Sequence, residues 1–254
     1  MKLVCPPWRL ECYDELTSTS DVCKERARAG AAPGLALLAH HQTKARGSRG
    51  RSWVDAGRSL ALSVLLDPAS VTSDLQLGCW PFLASLAFYD ALADVAPAAR
   101  ADLLIKWPND ILLAGKKLGG ILLEYEGSAM VIGFGANLHA PPSQRDIGRQ
   151  VASLDGYAEV GAEALAEALL KQIHRWLDVW AQQGFAVLCH EWQSRAHPVG
   201  TMLTVRNESL NEQGRFIGLE PDGRLLLETG QGIKKIAAGE VLLLSQETDR
   251  VTGY

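Results

Sequence analysis

The sequence predicts an α+β domain followed by a small β-barrel. Two observations carry the prediction. Up to residue 196, apolar runs of strand length alternate with segments of helical period. From His197-Pro198 onward only short apolar runs separated by turns remain. A length of 254 residues suits that division, since it holds a domain of roughly 200 residues and a small appendage. The expected units are therefore residues 1–196 and 197–254.

Each element has a local reason. Ser20 to Ala29 reads as a short helix, with a polar cap at its start and Gly30 as its stop. After Pro33-Gly34, LALLAHHQ is a buried strand, and SLALSVLL (Ser59–Leu66) is a second strand returning from the intervening loop. Leu83 to Val95 is helical and ends ahead of Pro97. Leu103 to Trp107 and Gly120 to Tyr125 read as strands flanking a turn at Ala114-Gly115, and Ala129 to Asn137 is a further apolar strand. Glu163 to Gln183 is the clearest helix. There Leu165, Leu169, Ile173, Trp176 and Trp180 recur at helical spacing, and Gly184 caps the end. That stripe is core packing. In the C-terminal unit the strand-like runs are TMLTVRN, GRFIGLE, GRLLLET and IKKIAAGEVLLL, with a Pro-Asp-Gly turn inside LEPDGRLLLE. Its size is that of an SH3-like module.

Composition narrows the functional classes. Hydrophobic content of 47% and charged content of 21% describe an ordinary globular protein. A net charge of −4 leaves no face-wide basic excess, which argues against a nucleic-acid partner. The opening MKLVCPPWRLECYDEL lacks the apolar core of a signal peptide, and no run reaches the length of a membrane span. The expected location is the cytoplasm, with no membrane partner. Cys5, Cys12, Cys23, Cys79 and Cys189 are odd in number and scattered, without a CxxC pair. Buried thiols in a reducing compartment are expected, in place of zinc or a disulfide framework. His40 and His41 are adjacent, so on a strand they face opposite ways and cannot chelate one metal together.

Against this acidic background one stretch stands out. QTKARGSRGRSW (Gln42–Trp53) places Lys44, Arg46, Arg49 and Arg51 within eight residues, and no Asp or Glu occurs from Arg26 to Val54. Glycines let backbone approach a ligand closely, and guanidinium forks match phosphate oxygens. Such a loop either closes over a phosphate-bearing ligand or is a solvated basic surface. Three further stretches carry chemistry. LTSTSD sets the hydroxyls of Ser18, Thr19 and Ser20 at a helix start, where an N-cap alone explains one or two of them. In IKWPNDILLAGKKLGGILLE, Lys106 ends an apolar strand, where burial would demand an anionic partner and exposure would let it snorkel. In VIGFGANLHA, Gly133, Gly135 and Asn137 interrupt a β pattern, but the third glycine and following helix of a dinucleotide fold are missing.

In this order the stretches resemble the biotin protein ligase family. STS (Ser18–Ser20) stands where that family has STN, and QTKARGSRGRSW where it has Q-x-x-G-R-G-R-x-G-R-x-W. KWPND, KKLGGILLE and a GxGxN strand follow, and AAGEVLLL resembles the family's G-E-[IV] strand. KWPND followed by KLGGIL is the most specific part. The resemblance implies a mixed-sheet catalytic domain related to class II tRNA synthetases and lipoate ligases, followed by an SH3-like barrel. It implies ATP-dependent ligation of biotin to one lysine of a biotin carboxyl carrier protein domain through biotinyl-5'-AMP, with Mg2+ accompanying ATP.

By position, the resemblance assigns Ser18, Thr19, Ser20, Gln42 and Gly120 to biotin. It assigns Arg46, Gly47, Ser48, Arg49, Arg51, Trp53 and Asn137 to the nucleotide and its phosphates, although Trp53 reads equally as core. Lys106 would bridge the biotin carboxylate and the α-phosphate, and Arg46 would share the catalytic role. Some members carry an N-terminal winged helix that represses transcription. With the ligand motif beginning at Ser18 and a winged helix needing roughly 60 residues, a ligase without repressor function is expected. Three departures matter. Ser20 replaces Asn, Ala45 replaces a glycine that would be needed if φ were positive, and Ser48 replaces an arginine. The last removes one cation near the adenylate and predicts looser retention of the intermediate. The rival readings are a lipoate or octanoate ligase, which KWPND and the C-terminal unit argue against, and a non-catalytic nucleotide-binding module. Pairing into a homodimer through an exposed sheet edge is compatible with the sequence.

Overall fold

The computed structural model describes residues 8–54, 58–70, 77–141, 150–206, 211–237 and 239–243. In chain order the first unit holds β1 (Arg9–Leu16), α1 (Thr19–Arg28), β2 (Leu35–Gln42), β3 (Ser59–Leu66) and α2 (Trp80–Val95). It continues with β4 (Leu103–Lys106), β5 (Asp110–Leu113), β6 (Lys116–Glu126), β7 (Ala129–Asn137), α3 (Ala162–Gln183) and α4 (Phe185–Arg195). The second unit holds β8 (Met202–Arg206), β9 (Asn211–Leu219), β10 (Leu225–Thr229), β11 (Gly232–Ile236) and β12 (Glu240–Leu243).

The larger sheet has seven strands in the order β1-β2-β3-β7-β6-β5-β4. β1 and β2 run parallel across the α1 connection, and the other neighbours are antiparallel, so the sheet is mixed as expected. The second sheet, β11-β10-β9-β8-β12, is antiparallel throughout and has the size of an SH3-like barrel.

Alternation along the central strands splits the large sheet into two faces. Leu60, Leu62 and Val64 of β3, with Ile132, Phe134 and Ala136 of β7, enter the main core with α2 and α3. The opposite face carries Leu35, Leu37, Leu65 and Val131, which pack around Cys23 of α1. Further along that face stand Ala61 and Ser63, paired in register with Gly135 and Gly133. Residues this small leave a hollow above the sheet.

α2 is buried along most of its length. Its Asp90 accepts from Arg175 Nη1 (3.0 Å), Arg195 Nε (3.2 Å) and Trp176 Nε1 (3.0 Å), so α2, α3 and α4 meet on one carboxylate. A parallel bridge between Ile105 and Ala196 ties the outer edge of β4 to the chain entering the second unit. His197 follows, buried edge-on against Trp192 and Phe216.

The sequence reading omits β1, β5 and α4. β1 (RLECYDEL) is half charged and half-exposed, so it lacks an apolar signature. β5 is four residues long, and a register shift between Ile111 and Leu112 obscures its alternation. IKKIAAGEVLLL contains two strands, β11 and β12. α1 begins one residue earlier and α2 three residues earlier than expected. Cys23, Cys79 and Cys189 are buried thiols as expected, Cys12 is exposed, and Cys5 lies outside the described residues. No helix of the described residues is long and apolar enough to cross a membrane.

Candidate active site

The hollow is the floor of a cavity whose walls come from α1, the basic loop, β6 and β7. At one end Ser18 caps α1, its extended backbone (φ −159) directing Oγ to accept from the Asp21 N–H at 3.4 Å. Thr19 gives its backbone N–H to Gln42 Oε1 at 2.8 Å and its hydroxyl to the same oxygen at 3.2 Å. Ser63 Oγ donates to Thr19 Oγ1 at 2.8 Å and lies 3.0 Å from Ser20 Oγ. This buried run of hydroxyls and an amide offers both donors and acceptors to a small polar head group. Gly133 makes room for it, since a Cβ there would fall 2.6 Å from Ser20 Oγ.

The basic loop arches over the other end and is ordered by its own backbone. Arg46 and Ser52 form an antiparallel bridge, Trp53 N donates to Ala45 O at 3.1 Å, and Gly47 N donates to Arg51 O at 2.7 Å. Ser48–Gly50 makes a single 3-10 turn, which Gly50 leaves with φ +69. Ala45 is buried and is not among the positive-φ residues, so its departure from glycine imposes no backbone strain. Gly47, Ser48 and Arg51 line the cavity. The side chain of Arg49 lies outside the described residues. Trp53 lies over Gly135, with ring atoms 3.2 Å from where a Cβ would stand, so it is a cavity wall and not core.

Three of the assigned residues are already paired within the protein. Lys106 is buried, and the anionic partner its burial required is Asp110, 3.0 Å away, whose carboxylate lines the cavity. Lys117 lines the cavity and is ion-paired to the other Asp110 oxygen. Burial pushes the Asp110 carboxyl up, but the ammonium groups of Lys117 and Lys106 outweigh it and hold the group well below the usual carboxylate range. Gly120 accommodates this arrangement, because a Cβ there would stand 3.0 Å from Lys117 Nζ. Asn137 is buried outside the lining, its amide donating to the Ala152 carbonyl at 2.9 Å. Arg46 lines the cavity with its charge answered by Glu124 and Asp21. Among the described residues no group of three or more His, Cys, Asp or Glu is placed to hold a metal ion.

A polar recess, a basic loop and a lysine around one glycine floor can be compared with known proteins. Residues 13–137 match the Biotin/lipoate A/B protein ligase family, and residues 201–244 match the Biotin protein ligase C terminal domain. A biotin--[acetyl-CoA-carboxylase] ligase of Paracoccus denitrificans is 36% identical over 227 residues, covering 83% of this chain and 92% of the relative. The chain belongs to the biotin protein ligase family. A second relative of this ligase-family chain is the bifunctional ligase/repressor BirA of Bacillus subtilis, 32% identical over 91% of the chain and 73% of the relative. Among solved structures, the biotin protein ligase from Aquifex aeolicus in complex with biotin and ATP superposes with a TM-score of 0.80 at 27% identity. That match covers 92% of this chain and 97% of the other. The mixed sheet and C-terminal barrel are thus the family's architecture, and the cavity lies where KWPND, KKLGGILLE, the GxGxN strand and the basic loop converge.

Proposed function

We propose that the protein is a biotin--[acetyl-CoA-carboxylase] ligase that activates biotin with ATP and transfers it to a lysine of a biotin carboxyl carrier protein domain. The observation that carries this reading is the division of one cavity into a hydrogen-bonding recess at Thr19, Ser20 and Gln42 and a cationic end at Lys117 and Arg51. A ureido ring, with two N–H donors and a carbonyl, satisfies the recess. A dithiolane ring, the head of lipoate, would leave those groups unpaired, which disfavours the lipoate reading.

A biotin carboxylate oxygen attacks the α-phosphorus, an acyl-phosphate bond forms, and the bond to the bridging oxygen of pyrophosphate breaks. Two anions must approach within bonding distance, so fixed cations dominate the stabilisation. Lys117, steered by Asp110, supplies one at the meeting point of carboxylate and phosphate. Arg51 supplies another from the loop. ATP enters as its magnesium complex, the ion riding on the phosphates as substrate; both Asp110 oxygens already face lysines, so that carboxylate is not a spare ligand. The carrier's lysine amine then attacks the acyl carbon, AMP leaves with the bonding pair, and the amine proton passes to solvent. The reaction suits a cytoplasmic protein with its catalytic unit over residues 1–196 and its small unit over 197–254.

The test is ATP–pyrophosphate exchange with pure protein, Mg2+ and either biotin or lipoate. Exchange dependent on biotin is expected. Exchange with lipoate alone would overturn the substrate, and exchange with neither would leave a nucleotide-binding module.

A further inference from the structure

Arg46 is committed to carboxylates on both edges. Nε donates to Asp21 Oδ2 at 3.0 Å, and Nη1 and Nη2 donate to Glu124 Oε1 and Oε2 at 3.1 and 2.6 Å. Nη2 also lies 2.8 Å from Asp21 Oδ1. Neither acid lines the cavity. Asp21 belongs to the first turn of α1, directly after Ser18, Thr19 and Ser20, while Glu124 lies on β6 beyond Gly120. Lys24 joins them, 2.9 Å from Glu124 Oε1 and 3.2 Å from Asp21 Oδ1, so two acids and two bases close a neutral cluster.

A lone exposed ion pair would hold little. This one is forked toward Glu124, shared between two carboxylates, and built on three separate elements. It also sits where leverage is greatest. Arg46 is the first residue of the loop's stem, bridged to Ser52 across it, one residue from Trp53 on the cavity wall.

We propose that Asp21 and Glu124 clamp Arg46 and so fix the stem of the basic loop to the helix and strand that form the biotin end of the cavity. Arg46 is then a positioning residue, and phosphate binding falls to the other loop cations and Lys117. The proposal rests on the ligase reading. On it, the clamp keeps the loop seated between adenylation and the carrier's arrival, when the mixed anhydride would otherwise escape or hydrolyse.

The test compares Glu124→Gln, Arg46→Gln and the double variant with the wild-type protein. In biotin-dependent exchange, Glu124→Gln is expected to raise KM for ATP about tenfold, with kcat within about twofold, because the loop must be ordered at the expense of binding. Free biotinyl-AMP released per biotin transferred should rise about as much. Arg46→Gln should move the same quantities, and the double variant should be no worse than the worse single. Trypsin provides a readout that needs no substrate. The ligand-free wild-type loop should be cut slowly after Lys44, Arg49 or Arg51, and Glu124→Gln should speed this cleavage several-fold at unchanged melting temperature. Wild-type KM and cleavage in Glu124→Gln, beside a hundredfold kcat loss in Arg46→Gln, would overturn the proposal and return Arg46 to the phosphates. If the wild type shows no biotin-dependent exchange, the ligase reading fails, while the cleavage rates still decide whether the clamp exists.

Discussion

Two lysines share one carboxylate in this cavity, and their fates differ when mutated. Lys117→Gln is expected to lower biotin-dependent exchange by about a hundredfold or more, through loss of a preorganised cation, with little change in melting temperature. Lys106→Gln should instead destabilise the fold by about 3 kcal/mol, since a buried ion pair is broken and its carboxylate is left one partner short. Denaturant melts alongside exchange kinetics separate the two; equal losses of kcat with equal stability would contradict the assignment. Ser48 lines the cavity and accepts from Arg51 Nη2 at 3.3 Å. Ser48→Arg is expected to slow release of biotinyl-AMP about tenfold, one charge-assisted contact being of that size. Equal release rates would remove Ser48 from the account of intermediate retention. Most of these residues were legible from type and spacing. Lys117 was not, because Lys116-Lys117 after Ala114-Gly115 looks like a solvated turn, and only the bulge at Ile111 and Leu112 shows why the second lysine turns inward. The partner of Asn137 was hidden for another reason: its amide serves the Ala152 carbonyl, fifteen residues away, which no local pattern marks.

At the level of elements, the floor of the cavity is made by what β6 and β7 omit. Gly133→Ala would drive a Cβ to 2.6 Å from Ser20 Oγ, so KM for biotin should rise at least about fivefold while the fold persists. Gly119→Ala acts on the other face, where a Cβ would meet the Gly135 carbonyl at 2.8 Å and Phe88 at 3.0 Å. Its expected effect is a stability loss of about 1–3 kcal/mol in chemical denaturation, without a selective change in KM. The strands that build this floor carry long apolar runs and could be read directly. β1 could not, because an edge strand half in water needs no apolar alternation, and its partner β2 supplies the order. α4 follows α3 after the single residue Gly184, whose φ of +79 breaks what sequence presents as one helical stretch.

Across the whole molecule, the junction between the units carries a pH signature. Burial first, then the nearby Lys106 charge, lower the His197 pKa to about 4. Between that value and about 6.5 the unfolded chain binds a proton that the folded chain refuses. Stability therefore falls as pH drops through this window, by at most about 1.4 kcal/mol per unit, and His197 contributes no slope above it. His197→Phe should flatten the difference between melts at pH 7 and pH 5; an unchanged slope would assign it to other groups. The arrangement of the tryptophans has an optical consequence. Trp80, Trp107, Trp176, Trp180 and Trp192 are all at most 4% exposed, and Trp8 is partly buried with its Nε1 on the Leu170 carbonyl at 2.9 Å, whereas Trp53 lies on the cavity wall. Intrinsic fluorescence is thus split into a constant background and one ring that feels occupancy, so titration without any dye will report each ligand as it enters, and a Trp53→Phe protein will be blind to it.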